Sequence, residues 1–213
     1  MLPDVQGLRW GLLLILLLLA VFLAPLFGGS TLAELISLAL FEFVVVAALI
    51  TSVTHTRGRI IGAVVAALWF AATVAALLAD AMHGFVAAFS AVMLAGALLV
   101  TFYNLLDREA GDLDALIGAV FGYILLAMTW AMLFVQIERW HPGSFEFPLD
   151  SDLWSSLIYF SLITLTTLGY GDILPIAPVA RLTAGLEAVV GVLYIAVMIG
   201  NIVGTYRRRV NKL

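Results

Sequence analysis

The chain has 213 residues, 64% hydrophobic and 11% charged, with a formal net charge of −4 and a mean hydropathy of +1.15. That leaves too little polar surface to cover a water-soluble domain of this size, so lipid is the solvent for most of the protein. The absence of cysteine excludes a disulfide framework, a thiolate metal site and a cysteine nucleophile, and the acidic balance with short loops offers no broad basic surface for nucleic acid. His55, His83 and His141 fall in separate loops without metal-ligand spacing.

Crossing a hydrocarbon core of ~30 Å takes about 20 mostly apolar helical residues. Six stretches meet that condition: Leu8–Phe27, Leu32–Val53, Ile60–Ala79, Phe85–Leu106, Asp114–Ile137 and Val179–Tyr206. The first has a leucine run and Ala24, as a signal peptide would, but its length and single basic residue, Arg9, favour a retained span. Arg57 and Arg59, the Arg207–Arg209 cluster with Lys212, and Arg9 are expected on the cytoplasmic side. A multi-pass protein of the cell membrane with both termini cytoplasmic satisfies them. The loop of Asp107 to Asp114 is acidic yet cytoplasmic in this arrangement, which is tolerated because acidic residues weigh little in the rule. Arg207–Arg209 also suits contact with anionic lipid headgroups.

Between the last two spans lies Asp152–Thr166, amphipathic and too short to cross, with Asp152 at its start as helix beginnings favour. It runs directly into Thr167-Leu168-Gly169-Tyr170-Gly171-Asp172. Gly169 and Gly171 occupy alternate positions, where a backbone turning its carbonyls to one side needs angles that glycine reaches without strain.

This segment closely resembles the Thr-Val-Gly-Tyr-Gly filter of tetrameric potassium channels, with leucine in place of valine. From about residue 111 to 213 the chain is similar to the pore unit of that family: outer helix, re-entrant pore helix, filter and inner helix. The carbonyl mechanism of the filter is a general property of potassium channels and is not deduced from this sequence. The resemblance implies an all-α membrane protein with six transmembrane helices plus the re-entrant pore helix, assembled as a homotetrameric pore. It implies K+ coordination by Thr167, Leu168, Gly169 and Tyr170, with Gly171 completing the filter. Permeant K+ is then the only bound species expected, with no cofactor and no enzymatic chemistry.

The resemblance also assigns supporting roles. Leu157–Thr166 matches the pore helix, Thr166 the cavity floor, and Leu168 a side chain packed behind the filter. Asp172 matches an aspartate that bonds back to the pore helix. Ile163 stands where some relatives carry a carboxylic partner, leaving Tyr159 as the expected donor to Asp172. Gly191 matches a hinge glycine of simple bacterial channels, and Val192, Ile195, Ile199 and Val203 share a helical face and match cavity-lining positions. Ile199 and Val203 are the candidates for an inner gate that closes by excluding water. Pro175 and Pro178 suit a turn after the filter.

Residues 1–110 form the other expected domain, a four-helix bundle laid out like a voltage sensor. Phe85–Leu106 contains no Lys or Arg, so voltage sensing by a charged fourth span is not expected. Glu42 and Glu187 fall inside spans, where a charge is costly. Glu187 is expected to bond to the pore helix through Ser156, Ser161 or Thr164 and to couple gating to the filter. Glu146, Asp150, Asp152 and Asp172 surround the expected outer mouth, where repetition around an axis would concentrate cations. The leading expectation is a potassium-selective channel; a non-conducting regulatory subunit and a less selective cation channel are the alternatives. The sequence names neither the gating stimulus nor an accessory partner.

Overall fold

The computed structural model describes residues 9–26, 36, 40–48, 68, 69, 71, 96, 113–149 and 151–210. Most of the second, third and fourth expected spans, with the loops around Arg57, Asp80 and Arg108, lies outside the described residues. So do both chain ends, and Asp150 at the expected mouth. The elements in chain order are α1 (Arg9–Leu26), α2 (Leu113–Trp140), β1 (Phe145–Glu146), α3 (Leu153–Leu165), β2 (Leu174–Pro175) and α4 (Pro178–Val210); residues 40–48 are also helical. The described protein is mostly helical. Leu116–Trp140 and Pro178–Met198 are long and apolar enough to cross a membrane.

The chain divides into two compact units, residues 1–122 with 202–213, and residues 123–201. In the first, Trp10, Leu13, Leu17, Val44 and Val45 are buried, and the Trp10 ring lies 5.5 Å from that of Phe121. Glu42 is buried there as well.

The second unit is built on α2, α3 and α4. Asp152 starts α3 as its N-cap, its carboxylate accepting from the Ser155 backbone N–H at 2.8 Å. Pro178 takes the first position of α4, where its missing N–H is not needed. α2 runs three residues beyond the expected span, to Trp140, and Glu138 in this last turn holds the chain that follows. Its two carboxylate oxygens accept from Gly143 N–H at 2.7 Å and Phe145 N–H at 3.0 Å.

The segment before α3 is not a plain loop. Phe145–Glu146 pairs antiparallel with Leu174–Pro175, with Phe145 opposite Pro175 and Glu146 opposite Leu174. The Ser144 carbonyl accepts from Ile176 N–H at 2.7 Å, and Arg181 Nε–H donates to the Pro175 carbonyl at 3.0 Å. This short ribbon joins the chain entering α3 to the chain leaving residue 172.

Three phenylalanines from three elements close the core below the ribbon. Phe134, Phe145 and Phe160 lie 5.2 to 5.5 Å apart, each pair edge to face at 69° to 71°. Aromatic edges carry positive and faces negative partial charge, so each such pair adds about 0.5–1.5 kcal/mol beyond its burial. Leu157, Ile173, Ala180 and Ala184 pack around them. On α4 the buried side is narrow: Ala180, Ala184, Glu187, Gly191, Tyr194 and Met198 alternate at spacings of four and three. Leu182, Leu186, Val189, Val192, Leu193, Ile195 and Val197 stay exposed on the single chain.

Phe160→Ala removes one ring from all the pairs it makes and leaves a cavity, so it is expected to destabilise the unit by about 3–5 kcal/mol. Chemical unfolding in detergent micelles measures this, and a loss below ~1 kcal/mol would show that the three rings do not act as the core.

Candidate functional site

The site begins where α3 ends. A helix leaves its last four carbonyls without partners inside the helix, and here all four are satisfied. Leu162 O accepts from Thr166 N–H at 3.1 Å and from the Thr166 hydroxyl at 2.7 Å. Ile163 O accepts from Leu168 N–H at 2.8 Å and Gly169 N–H at 3.1 Å, and Thr164 O accepts from Thr167 N–H at 2.9 Å. Leu165 O accepts from the Tyr123 hydroxyl at 2.9 Å.

Two of these bonds, Leu168 to Ile163 and Thr167 to Thr164, make a Schellman cap, which requires the residue after the C-cap to be left-handed. That residue is Thr167, with φ 60°, following Thr166 as the C-cap. Glycine is the usual occupant, and a β-branched residue there is strained by roughly 1–3 kcal/mol. Thr167 is the only non-glycine with positive φ among the described residues.

Positive φ then recurs at every second residue: Thr167, Gly169 at 52° and Gly171 at 77°. In a trans peptide the carbonyl points opposite to the N–H of the next residue. Because the N–H groups of Thr167, Leu168 and Gly169 point back at α3, the carbonyls of Thr166, Thr167 and Leu168 point away from it. Thr166 through Asp172 are all exposed on the single chain. The cap thus turns the carbonyls of Thr166, Thr167 and Leu168 outward, in residues that are exposed on the single chain.

The other end of this segment is tied by side chains. The Tyr159 hydroxyl on α3 donates to Asp172 Oδ2 at 2.8 Å, the pair the sequence points to. This bond holds the Tyr159 phenol above its ordinary pKa, so it stays a donor in mildly alkaline solution. Behind α3, Ser161 Oγ lies 2.5 Å from Glu187 Oε1 on α4 and 2.7 Å from the Ala127 carbonyl on α2. Of the three partners expected for Glu187, Ser161 is the one in contact; both side chains are fully buried.

Gly191 packs against the end of α3. A Cβ at this position would collide with the Leu165 carbonyl, so close approach alone accounts for glycine here. Tyr194, one turn further, sets its ring 5.4 Å from that of Tyr123. Val192 and Ile195 are exposed, and the side chains of Ile199 and Val203 lie outside the described ones. Leu168, expected to pack behind the filter, is 56% exposed and Tyr170 69%, so their own chain leaves most of each uncovered. Two participants escape sequence reasoning: Tyr123, forty-two positions from its acceptor Leu165, and the Phe145–Glu146 ribbon.

Residues 118–208 match a protein-family model described as ion channel. The potassium voltage-gated channel protein shk-1 of Caenorhabditis elegans is 33% identical over 79 residues, 36% of this chain and 14% of that protein. The inward rectifier potassium channel Kirbac3.1 of Paramagnetospirillum magnetotacticum is 33% identical over 84 residues, 39% of this chain and 25% of its own length. The human voltage-gated potassium channel regulatory subunit KCNF1 is 29% identical over 97 residues, covering 45% and 19% respectively. The matches support a potassium-channel family. The chain spans a quarter or less of these relatives' lengths. No solved structure matches the chain.

Two substitutions separate the supports. Tyr159→Phe removes only the hydroxyl, so the thermal transition should stay within a few degrees while amide exchange of residues 169–172 quickens; unchanged exchange would mean the bond holds nothing. Gly191→Ala drives a methyl into the Leu165 carbonyl and is expected to cost about 1–3 kcal/mol, read by unfolding in detergent; an undiminished stability would show that the helices part freely there.

Proposed function

We propose that this chain is one subunit of a homotetrameric channel that passes K+ down its gradient, with the carbonyls of Thr167, Leu168, Gly169 and Tyr170 replacing the ion's water. The observation that carries the reading is the alternation of positive φ at Thr167, Gly169 and Gly171 directly after a helix that binds the N–H groups of Thr167, Leu168 and Gly169. Backbone so arranged offers oxygen without offering N–H, which suits a dehydrated monovalent cation. The similarity of residues 118–208 to ion channels, and of this chain to potassium-channel relatives, supports the same reading.

One row of carbonyls cannot surround an ion. Equal copies around an axis can, and cyclic symmetry then places the filter on that axis. The apolar flanks of α4, together with exposed Leu168 and Tyr170, give neighbouring copies a surface to cover. Val192 and Ile195, with Ile199 and Val203 further along α4, would line the cavity below the filter, with Thr166 at its floor. Gly191 packs closely in this state, so a hinge there would require α4 to leave the end of α3. Gating by a charged fourth span is not part of the reading.

A non-conducting regulatory subunit is the second reading, favoured by the similarity to KCNF1, a voltage-gated potassium channel regulatory subunit. Purified protein reconstituted alone in a planar bilayer, with K+ on one side and Na+ on the other, distinguishes these possibilities. Unitary currents reversing near the K+ equilibrium potential are expected. A silent tetramer would support the regulatory reading, and currents that do not distinguish K+ from Na+ would contradict the potassium-selective one.

A further inference from the structure

The contact between Ser161 and Glu187 does not balance if Glu187 is ionised. A serine hydroxyl has one proton to donate. Ser161 Oγ lies within hydrogen-bond distance of two oxygens, the Ala127 carbonyl and Glu187 Oε1. A carbonyl accepts only, and so does an ionised carboxylate. A single proton can serve only one of them well, unless Glu187 brings a proton of its own.

Burial points the same way. Glu187 is fully buried, and its Oε2 has no hydrogen-bond partner among the described residues. A carboxylate anion in that position would be uncompensated, which costs far more than one unpartnered carbonyl oxygen of a neutral acid. No cation among the described residues is bonded to it. Within this unit α2 offers Tyr123, Glu138 and Arg139: Arg139 is exposed, Glu138 is engaged by Gly143 and Phe145, and the Tyr123 hydroxyl donates to the Leu165 carbonyl. α3 offers Tyr159, which donates to Asp172, and α4 itself offers exposed Arg181 and the Tyr194 phenol.

We infer that Glu187 is a proton-binding site: as a carboxylic acid it donates to Ser161 Oγ, which donates to the Ala127 carbonyl, so that one bound proton ties α4, α3 and α2 together behind the filter. Losing that proton turns a donor into an anion facing an oxygen. Ser161 must then turn its hydrogen from Ala127 to Glu187, and the link from α3 to α2 is lost. Alkaline solution is therefore the direction that loosens α3, the helix whose end holds Thr167, Leu168 and Gly169.

The carboxamide of glutamine donates where the acid does, so Glu187→Gln should keep the linkage without titrating, while Glu187→Ala should lose it. The test uses the full chain in lipid vesicles. Infrared difference spectra at neutral pH should show a protonated-carboxyl band that Glu187→Gln removes and that the wild type loses only in alkaline solution. Glu187→Gln should also melt within a few degrees of the wild type, with Glu187→Ala and Ser161→Ala clearly lower. Absence of the band at neutral pH, or Glu187→Gln melting with Glu187→Ala, overturns the inference. In channel recordings, wild-type open probability should fall several-fold in alkaline solution and that of Glu187→Gln should not; equal pH dependence in both overturns the regulatory consequence. These spectra do not depend on conduction, so a protein that passes no current would sink the channel reading while the band still decides this one.

Discussion

The carbonyl of Ile163 organises the site. It accepts two N–H groups, from Leu168 and Gly169, and these bonds decide which way the next peptides face. A trans peptide cannot turn its N–H inward without turning its carbonyl outward. The cap of a short helix and the outward carbonyls of Thr166, Thr167 and Leu168 are therefore one piece of backbone. Thr167 carries the cost: glycine would cap the helix with less strain, yet glycine has no hydroxyl.

Since the row depends on the end of α3, whatever fixes α3 fixes the row. The helix is held from several directions by different kinds of contact. Phe160 meets Phe134 and Phe145 edge to face, Ser161 bridges Glu187 and Ala127, Tyr123 bonds the last helical carbonyl, and Gly191 lets α4 approach that same carbonyl. The Phe145–Glu146 ribbon and the Tyr159–Asp172 bond hold the far end. Packing sets the helix in place, and hydrogen bonds set its register. All of these contacts lie in residues 123–201, the same compact unit.

The features legible in sequence are those that a residue type alone announces. Gly169 and Gly171 mark backbone that side chains rarely adopt, and both have positive φ. The resemblance, rather than residue type, ties Asp172 to the pore helix and points to Tyr159 as its donor, and the two are bonded. Glu187 in an apolar helix demanded a polar partner, which narrowed the choice to three without selecting Ser161. What stayed hidden depends on contacts remote in the chain. Tyr123 meets Leu165 only because two helices pack, and no spacing rule reports that. The ribbon is two residues long on each side, too short for an alternating pattern to emerge. Thr167 reads as an ordinary filter residue, and its left-handed conformation contradicts the preference of β-branched side chains. Gly191 was matched by spacing to a hinge, whereas its contact with Leu165 gives a reason for glycine with no motion involved.

The unit as it stands is half of a surface. Its buried seam is polar at one point and tightly packed elsewhere, while the flanks of α4 and the row from Thr166 to Asp172 face outward. Equal copies would bring four such rows to a common axis, and the oxygens would then face one another across it. Structure determination of the assembled protein in rubidium, using anomalous scattering to locate the ion, tests this most directly. The account predicts a column of rubidium on a fourfold axis, within bonding distance of the Thr167, Leu168, Gly169 and Tyr170 oxygens. Rubidium bound to side-chain carboxylates instead, or an assembly whose axis avoids these residues, would contradict it.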